Sequence, residues 1–269
     1  MPLFGHSAKW LSTIRLITLV LLGISGACGC AINTPHLAIH QWPIEQRATY
    51  TAETTPYHLS VLPLIDQRPA QERTGQRAHG LFLLVWNQRK GDYYTGDAAF
   101  GGNVAGQLSE RLAAYLNASH LAAAIAKDTS SLAQLESLGA PQVKTIAAAE
   151  TADVLLAGTL EHFFGSQHQD FSMWIAPLYF VNATGWQNQK TLPWGQTTAT
   201  FVAYDGHAGT LVWRQQLQMS LTLPHETSSM TEAAMESFAQ VATQLVAELR
   251  QLPVDTLHGT QQTSLPEQE

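Results

Sequence analysis

The first thirty residues, MPLFGHSAKWLSTIRLITLVLLGISGACGC, separate a targeting segment from the part of the chain that can fold. Lys9 and Arg15 are their only charged residues, and the run 16–24 is almost entirely apolar. A basic start, an apolar core of about 7 to 15 residues and an end of small residues are typical of a secretory signal that is cleaved off. The run is too short to span a bilayer, which takes about 20 residues. We therefore expect residues 1–27 to be a signal peptide.

The two cysteines of the chain, Cys28 and Cys30, directly follow this signal. A disulfide between them is disfavoured, because cysteines one residue apart do not meet bridge geometry and would close almost no loop. Residues 25–28 (SGAC) resemble the lipobox of bacterial lipoproteins, and residues 27–30 (ACGC) fit it about as well. The resemblance implies lipidation of Cys28 or Cys30, with a thioether-linked diacylglycerol and a further acyl chain on the new N-terminus. A plain secretory signal followed by a coincidental cysteine is the alternative.

The lipid anchor would hold the protein stably, because two or more acyl chains bind a membrane firmly where one binds only marginally. In lipoproteins of this kind, Asp directly after the cysteine marks retention in the inner membrane. Here that residue is Gly29 or Ala31. The resemblance therefore implies an outer-membrane location, with the domain facing the periplasm.

The charge of the mature chain excludes some partners. Without Lys9 and Arg15 it has 12 basic and 21 acidic residues, a net charge of −9. Nucleic acid and anionic lipid surfaces both require basic patches, so we expect neither as a partner. The length after residue 27 suits one sizeable domain, or at most two. We assign residues 28–56 to a tether, on which Trp42 and nearby aliphatic residues could still dock onto the domain, and 253–269 to a polar tail.

Alternating and helical patterns predict one α/β (α+β) domain over residues 57–252. Expected strands lie at 57–66, where Pro63 indicates an edge or bulge, at 121–126 and 152–164, and in a hairpin of 197–204 with 210–221. Expected helices lie at 103–118 and at 229–250, which opens with a Ser229–Glu232 capping box. The run 81–86 is a buried strand or helix, and 130–138 and 142–151 are helical turns. Residues 67–80 are a loop, and 87–102 are a long loop or a hairpin tip. The order predicts a two-layer domain, a mixed sheet of about four to six strands with two to four helices mainly on one face.

Four stretches carry a resemblance to known envelope proteins: residues 62–68 (LPLIDQR), the helix 103–118, residues 152–158 (ADVLLAG), and Asp205 with 209–213 (GTLVW). In these the chain is similar to YajG-type lipoproteins, the curli-secretion lipoprotein CsgG and the N-terminal domain of TolB, over roughly residues 57–250. That group has a fold and a location in common but no single reaction. The resemblance implies a binding or assembly role by analogy.

No catalytic or metal-binding pattern is present in the sequence. None of the eleven histidines has HExxH or another ligand spacing, so we predict neither a metal nor a cofactor. No Gly-x-Ser-x-Gly elbow occurs, and residues 101–106 (GGNVAG) lack the order and the lysine of a phosphate loop, which favours a helix cap. Asp66 and Arg68 are either a functional pair or, as we prefer, an ion pair that fixes the following loop. We predict that the protein is not an enzyme.

One segment, 171–194, is too apolar for an ordinary loop, since it holds three of the seven tryptophans, one basic residue and no acid. It is either packed on the core or a contact surface for a partner protein, a neighbouring copy or the bilayer interface. The candidate contact residues are aromatic: Trp174, Tyr179, Phe180, Trp186 and Trp194.

Our leading hypothesis is a lipid-anchored, non-catalytic periplasmic binding or assembly module that contacts an envelope protein or itself. The first alternative is a subunit of a ring-forming outer-membrane export pore, in which 171–194 inserts or lines a neighbour. A pore strand needs about ten alternating residues, whereas 171–181 does not alternate and contains Pro177. The second alternative is an envelope enzyme with a pocket built from distant residues.

Overall fold

The longest strand of a mixed sheet, β5, is the element to which most of the fold is attached. The computed structural model describes residues 39–48, 57–75, 86–127, 132–137, 139–174, 187–225 and 228–252, which all belong to one compact unit. The expected signal 1–27, Cys28 and Cys30, most of the apolar run 81–86, and the tail 253–269 lie outside these residues. No helix within the described residues is long and apolar enough to cross a membrane.

The described residues form eight strands and five α-helices. The strands are β1 (His58–Val61), β2 (Ile65–Asp66), β3 (Trp86–Tyr94), β4 (Ala122–Ile125), β5 (Val154–Trp174), β6 (Gln187–Lys190), β7 (Trp194–Asp205) and β8 (Leu211–Thr222). The helices are α1 (Ala70–Thr74), α2 (Val104–Ala118), α3 (Leu132–Ser137), α4 (Ala140–Ala149) and α5 (Met230–Leu249), with 3-10 turns at Ile39–Gln41, Ile44–Arg47 and Asp97–Phe100.

The sheet has the order β4-β1-β5-β7-β8, with β2, β3 and β6 also paired to β5. The β1 strand runs parallel to β4 and β5, whereas β7 runs antiparallel to β5 and β8. The eight strand segments of the described residues thus form one mixed sheet. The expected mixed α+β sheet is confirmed.

The first strand is interior and interrupted, not at an edge. The β1 segment lies between β4 and β5, and β2 resumes the pairing with β5 at Thr159 and Leu160. Pro63 falls in the gap between the two pieces, where its missing N–H costs no ladder hydrogen bond. The register passes from Val61 opposite Leu156 to Ile65 opposite Thr159, so this strand has one residue more than β5 across the gap. The expected bulge at Pro63 is therefore present, whereas the alternative of an edge strand does not hold for β1.

A three-stranded antiparallel ribbon continues beyond the main sheet. In it β3 pairs with residues 166–174 of β5, and β6 pairs with residues 169–172 on the other side. The expectation of a loop or hairpin tip at 87–102 was wrong, and β5 runs ten residues past the predicted end at 164. The polar sequence of β3 shows no apolar alternation, so its strand form comes from pairing with β5. The predicted loop 67–80 contains the short helix α1.

The middle of the sheet is buried on both faces. On one face Val154, Leu156 and Leu160 of β5 contact a core that includes the apolar residues of α2 and α5. On the other face Leu155 and Ala157 pack with residues of α3 and α4. A strand covered on both faces is apolar at nearly every position, which explains the ADVLLAG sequence at its start.

The N-terminus of α5 lies directly on the sheet. Gly165 of β5 and Gly195 of β7 are opposite each other in the register. A Cβ on Gly165 would overlap the backbone of Met230, and a Cβ on Gly195 would overlap the backbone of Ala233. Two facing glycines therefore permit a helix-to-backbone approach that no other residue allows.

The capping predictions are confirmed at both long helices. Ser229 Oγ accepts from Glu232 N at 3.0 Å, and Glu232 Oε2 accepts from Ser229 N at 2.7 Å. Asn103 Oδ1 accepts from Gly106 N at the start of α2. The residues 101–106 therefore form a turn and a helix cap.

Candidate functional site

A buried arginine joins the end of β2 to the 3-10 turn Asp97–Phe100. The Arg68 side chain is fully buried, and its Nε and Nη2 donate to the two carboxylate oxygens of Asp66 at 2.9 and 2.7 Å. Nη2 also donates to Asp97 Oδ1 at 2.8 Å. The guanidinium thus binds the carboxylate of Asp66, two residues away, and that of Asp97, 29 residues away. This is the structural role that we preferred for the Asp66–Arg68 pair.

The two ionisation equilibria at this pair shift in opposite directions. Burial alone would raise the pKa of Asp66, but the hydrogen bonds and positive charge of Arg68, with the charge of Arg73, outweigh it and lower that pKa from 3.8. Burial alone would lower the pKa of Arg68, but Asp66 and Asp97 raise it. Both groups are therefore held in their charged forms.

A buried carboxylate, Glu72 of α1, stabilises an irregular point in β5. The register of β5 with β7 shifts between Leu160 and His162. Glu72 Oε2 accepts from Phe163 N at 3.2 Å, and Oε1 lies 2.7 Å from His162 Nδ1. Glu72 thus bonds a backbone N–H beside the shift and holds the half-exposed imidazole, so it secures α1 to the sheet.

The described polar clusters do not form a metal site. No group of three or more His, Cys, Asp or Glu residues in the described part of the chain could hold a metal ion. Asp153, directly before β5, accepts from His58 N at 2.7 Å and lies 3.1 Å from His207 Nε2. In the turn between β7 and β8, Asp205 Oδ1 accepts from His207 N at 2.7 Å. These contacts tie a turn to the strand beside it.

The ribbon is the part of the fold that contains the predicted contact segment. At its root the Trp194 ring packs edge-on against Phe164, with centroids 5.2 Å apart, and Tyr94 packs on Phe164 at 5.0 Å. At its far end Trp174 is the last residue of β5 and lies opposite Trp86 in the register. Trp194 is therefore a packing residue.

The other predicted site residues lie elsewhere. Tyr179, Phe180 and Trp186 are outside the described residues, as are both candidate lipidation sites, Cys28 and Cys30. Sequence reasoning did not find Asp97 or Glu72 as partners. The contacts of Asp97 and Glu72 join segments 29 and 90 residues apart, and no local spacing signals such contacts.

No protein-family model matches this sequence, and no curated protein is a recognisable relative. Three solved structures are partly similar. The protein XCC0632 from Xanthomonas campestris has a TM-score of 0.40 at 13% identity, covering 75% of this chain and 91% of that one. A PelC dodecamer from Paraburkholderia phytofirmans has 0.35 at 14%, covering 74% and 93%, and lipoprotein GNA1162 from Neisseria meningitidis has 0.35 at 10%, covering 72% and 99%. With TM-scores below 0.5, none of them assigns a fold family or a function to this chain.

Proposed function

We propose that the protein is a bacterial envelope lipoprotein, anchored through Cys28 or Cys30, that works as a non-catalytic binding module in the periplasm. Its location would be the outer membrane, because neither cysteine is followed by Asp. The partner would be another envelope protein or a second copy of this chain. The acidic mature chain argues against nucleic acid as a partner.

The observation that carries the proposal is the ribbon of β3, β5 and β6. Main-chain pairing fixes its three strands, while the helices α2 and α5 pack on the main sheet and no described helix packs broadly against β3 or β6. The ribbon includes residues 171–174 and 187–190 of the predicted contact segment 171–194. Aromatic residues are enriched at protein interfaces, and Trp174 and Trp186 are the tryptophans of this segment that we propose as contacts.

The charged cluster around Arg68 and Glu72 also supports a binding role over a catalytic one. Arg68 bonds to Asp66 and to Asp97 of a distant segment, and Glu72 bonds to β5, so these charges hold the structure together. A reactive site would need a group that is held in place yet left open to a substrate. The enzyme alternative is favoured by none of these contacts.

The contact hypothesis is tested by replacing Trp174 and Trp186 together with glutamine in the protein without lipid. The matched control is Trp213→Gln, a half-buried tryptophan on β8 at the other side of the sheet. We expect the double variant to reduce cross-linked complexes in the envelope or vesicle binding, with the fold intact by circular dichroism, and the control to retain both. Unchanged complexes, vesicle binding and solubility in the double variant would show that 171–194 is not a contact surface.

The anchor is tested by the intact mass of the mature protein from membranes, for the native chain and for Cys28→Ser and Cys30→Ser. We expect a lipid-sized increase in mass that one of the two substitutions abolishes. An unmodified mass in the soluble fraction would refute the anchor and would make the enzyme alternative more favoured than it is now. Sizing in mild detergent tests the pore alternative, which a purely monomeric protein would exclude.

A further inference from the structure

Residues 39–48, here called the strap, are part of the folded domain although they belong to the segment expected to be a tether. Ile39 and Ile44 have no exposed surface, and Ala48 is 6% exposed. All three belong to the core that contains the apolar residues of α2 and α5. The strap is thus anchored at both of its ends and at its middle.

Charged and polar groups secure the strap to both long helices. Glu45 bonds to Arg111 of α2 at 2.6 Å, and Tyr115 of α2 donates to the carbonyl of Arg47 at 3.3 Å. The Arg47 guanidinium forms an ion pair with Glu236 of α5. Contacts to two separate helices define one docked position rather than a loose association.

Docking changes the length of chain between the lipid and the domain. From Cys28 to Tyr57, where β1 follows, a fully extended chain spans about 100 Å, whereas from Cys28 to Ile39 it spans at most about 40 Å. As flexible coils the same stretches have r.m.s. lengths of about 30 Å and about 18 Å. If Cys30 carries the lipid, both lengths shorten slightly.

We infer that the strap sets the reach of the domain, holding it within about 40 Å of the membrane that carries its lipid. The inference rests on the proposed lipid anchor. Its consequence is a class of partner: a protein exposed at that same membrane rather than one further away.

The test compares four lipidated proteins in vesicles. The release variant replaces Ile39 and Ile44 with serine, and the matched control replaces the exposed strap residues Gln41 and Gln46 with serine. In the fourth protein about eighteen Gly/Ser residues are inserted after Pro35, which restores the length of the released tether while the strap stays intact.

Two readouts follow the strap and the reach separately. The first readout is energy transfer from a fluorophore on Gln251→Cys, an exposed position after α5, to an acceptor dye on the lipid headgroups. In every protein the cysteine of 28 and 30 that carries no lipid is replaced by serine, so that only position 251 is labelled. Trypsin cleavage after Arg47, followed by mass, reports whether the strap is docked, since a docked strap must open before it is cut.

We expect the native protein and the Gln41/Gln46 control to give the same energy transfer, and the release and insertion variants to give the same lower value. We also expect cleavage after Arg47 to be on the order of tenfold faster in the release variant alone. Native-like transfer in the release variant, or in the insertion variant, would overturn the inference. The insertion variant keeps the inference testable if the release variant does not fold. A protein without lipid would refute the proposed function instead, and the cleavage assay would still report docking.

Discussion

The facing glycines under α5 allow a quantitative test of the packing. Gly195 of β7 lies beneath the first turn of the helix, and a Cβ placed there would be 2.6 Å from Ala234 N and closer still to the carbonyl of Ala233. Ordinary van der Waals contact begins at 3.4 Å, so the helix would have to retreat by at least about 0.8 Å. We predict that Gly195→Ala destabilises the domain strongly.

The loss of stability follows from the gap that the displaced helix α5 would leave above the sheet. The apolar side of α5, including Phe238, Ala242 and Leu245, is fully buried against the sheet. A gap of 0.5 to 1 Å removes about a quarter to a half of the dispersion energy between the two surfaces. Overpacking a core generally lowers the free energy of unfolding by about 1 to 3 kcal/mol. We therefore expect a loss of about 2 to 3 kcal/mol, which lowers Tm by about 5 to 10 °C in a domain of this size.

Urea and thermal unfolding measure the change, with Gly139→Ala as the matched control. Gly139 precedes α4 with φ −79°, and the nearest atom to its Cβ would be the flexible Gln142 Oε1 at 3.2 Å, so we expect a cost of about 0.5 kcal/mol. Gly165→Ala demands the same helix retreat, so the double variant should lose less than the sum of the two single losses. Equal stability of Gly195→Ala and Gly139→Ala would refute this account of the interface.

Substitutions at three further positions test two buried side chains and a helix cap. Replacing Arg68 with methionine leaves two partly exposed carboxylates without their cation and should cost about 2 to 4 kcal/mol in urea unfolding at neutral pH. Because the pKa of Asp66 is lowered from 3.8, this stabilisation is present above pH 3.8 and is lost as the pH falls below it, so the native protein and Arg68→Met should converge in acid. Burial raises the pKa of Tyr57 to about 12, so its contribution is complete below pH 10 and is lost as the pH rises towards 12. Burial also raises the pKa of Tyr204, so Tyr57→Phe should reduce the late part of the ultraviolet titration without abolishing it. Ser229→Ala should cost about 1 kcal/mol, and Ser229→Asp should retain most of the cap.

The long helices and the hairpin were predictable because their signals are local. A repeat of apolar residues every three to four positions, with Asn103 and Ser229 in front, marks α2 and α5 within one or two residues of their observed starts. The β7–β8 hairpin follows from two β-rich runs around a short turn, and it is confirmed.

The ribbon was not predicted as an ordered element, and docking of the strap was predicted only as an alternative to a tether, because the order of both comes from distant partners. The β3 sequence is polar, and only its pairing with residues 166–174 makes it a strand. In the strap, Ile39 and Ile44 are five residues apart with no period between them, so only their burial between α2 and α5 shows their role. The same distinction holds for the ion pairs of Arg68. Asp66 is two residues away and could be paired with it from the sequence, whereas the distant Asp97 could not.

The position of β5 in the sheet has a consequence for the order in which the chain folds. Its partners β1, β2 and β3 precede it by up to about a hundred residues, while β7, β8 and α5 follow it within a hundred. Among the earlier strands, β1 can pair with β4 before β5 is made, but β2 and β3 pair only with β5 and must wait for it. The unit from β5 to α5 has the shorter loops to close and should assemble first. The strap, which contacts both α2 and α5, would then dock last.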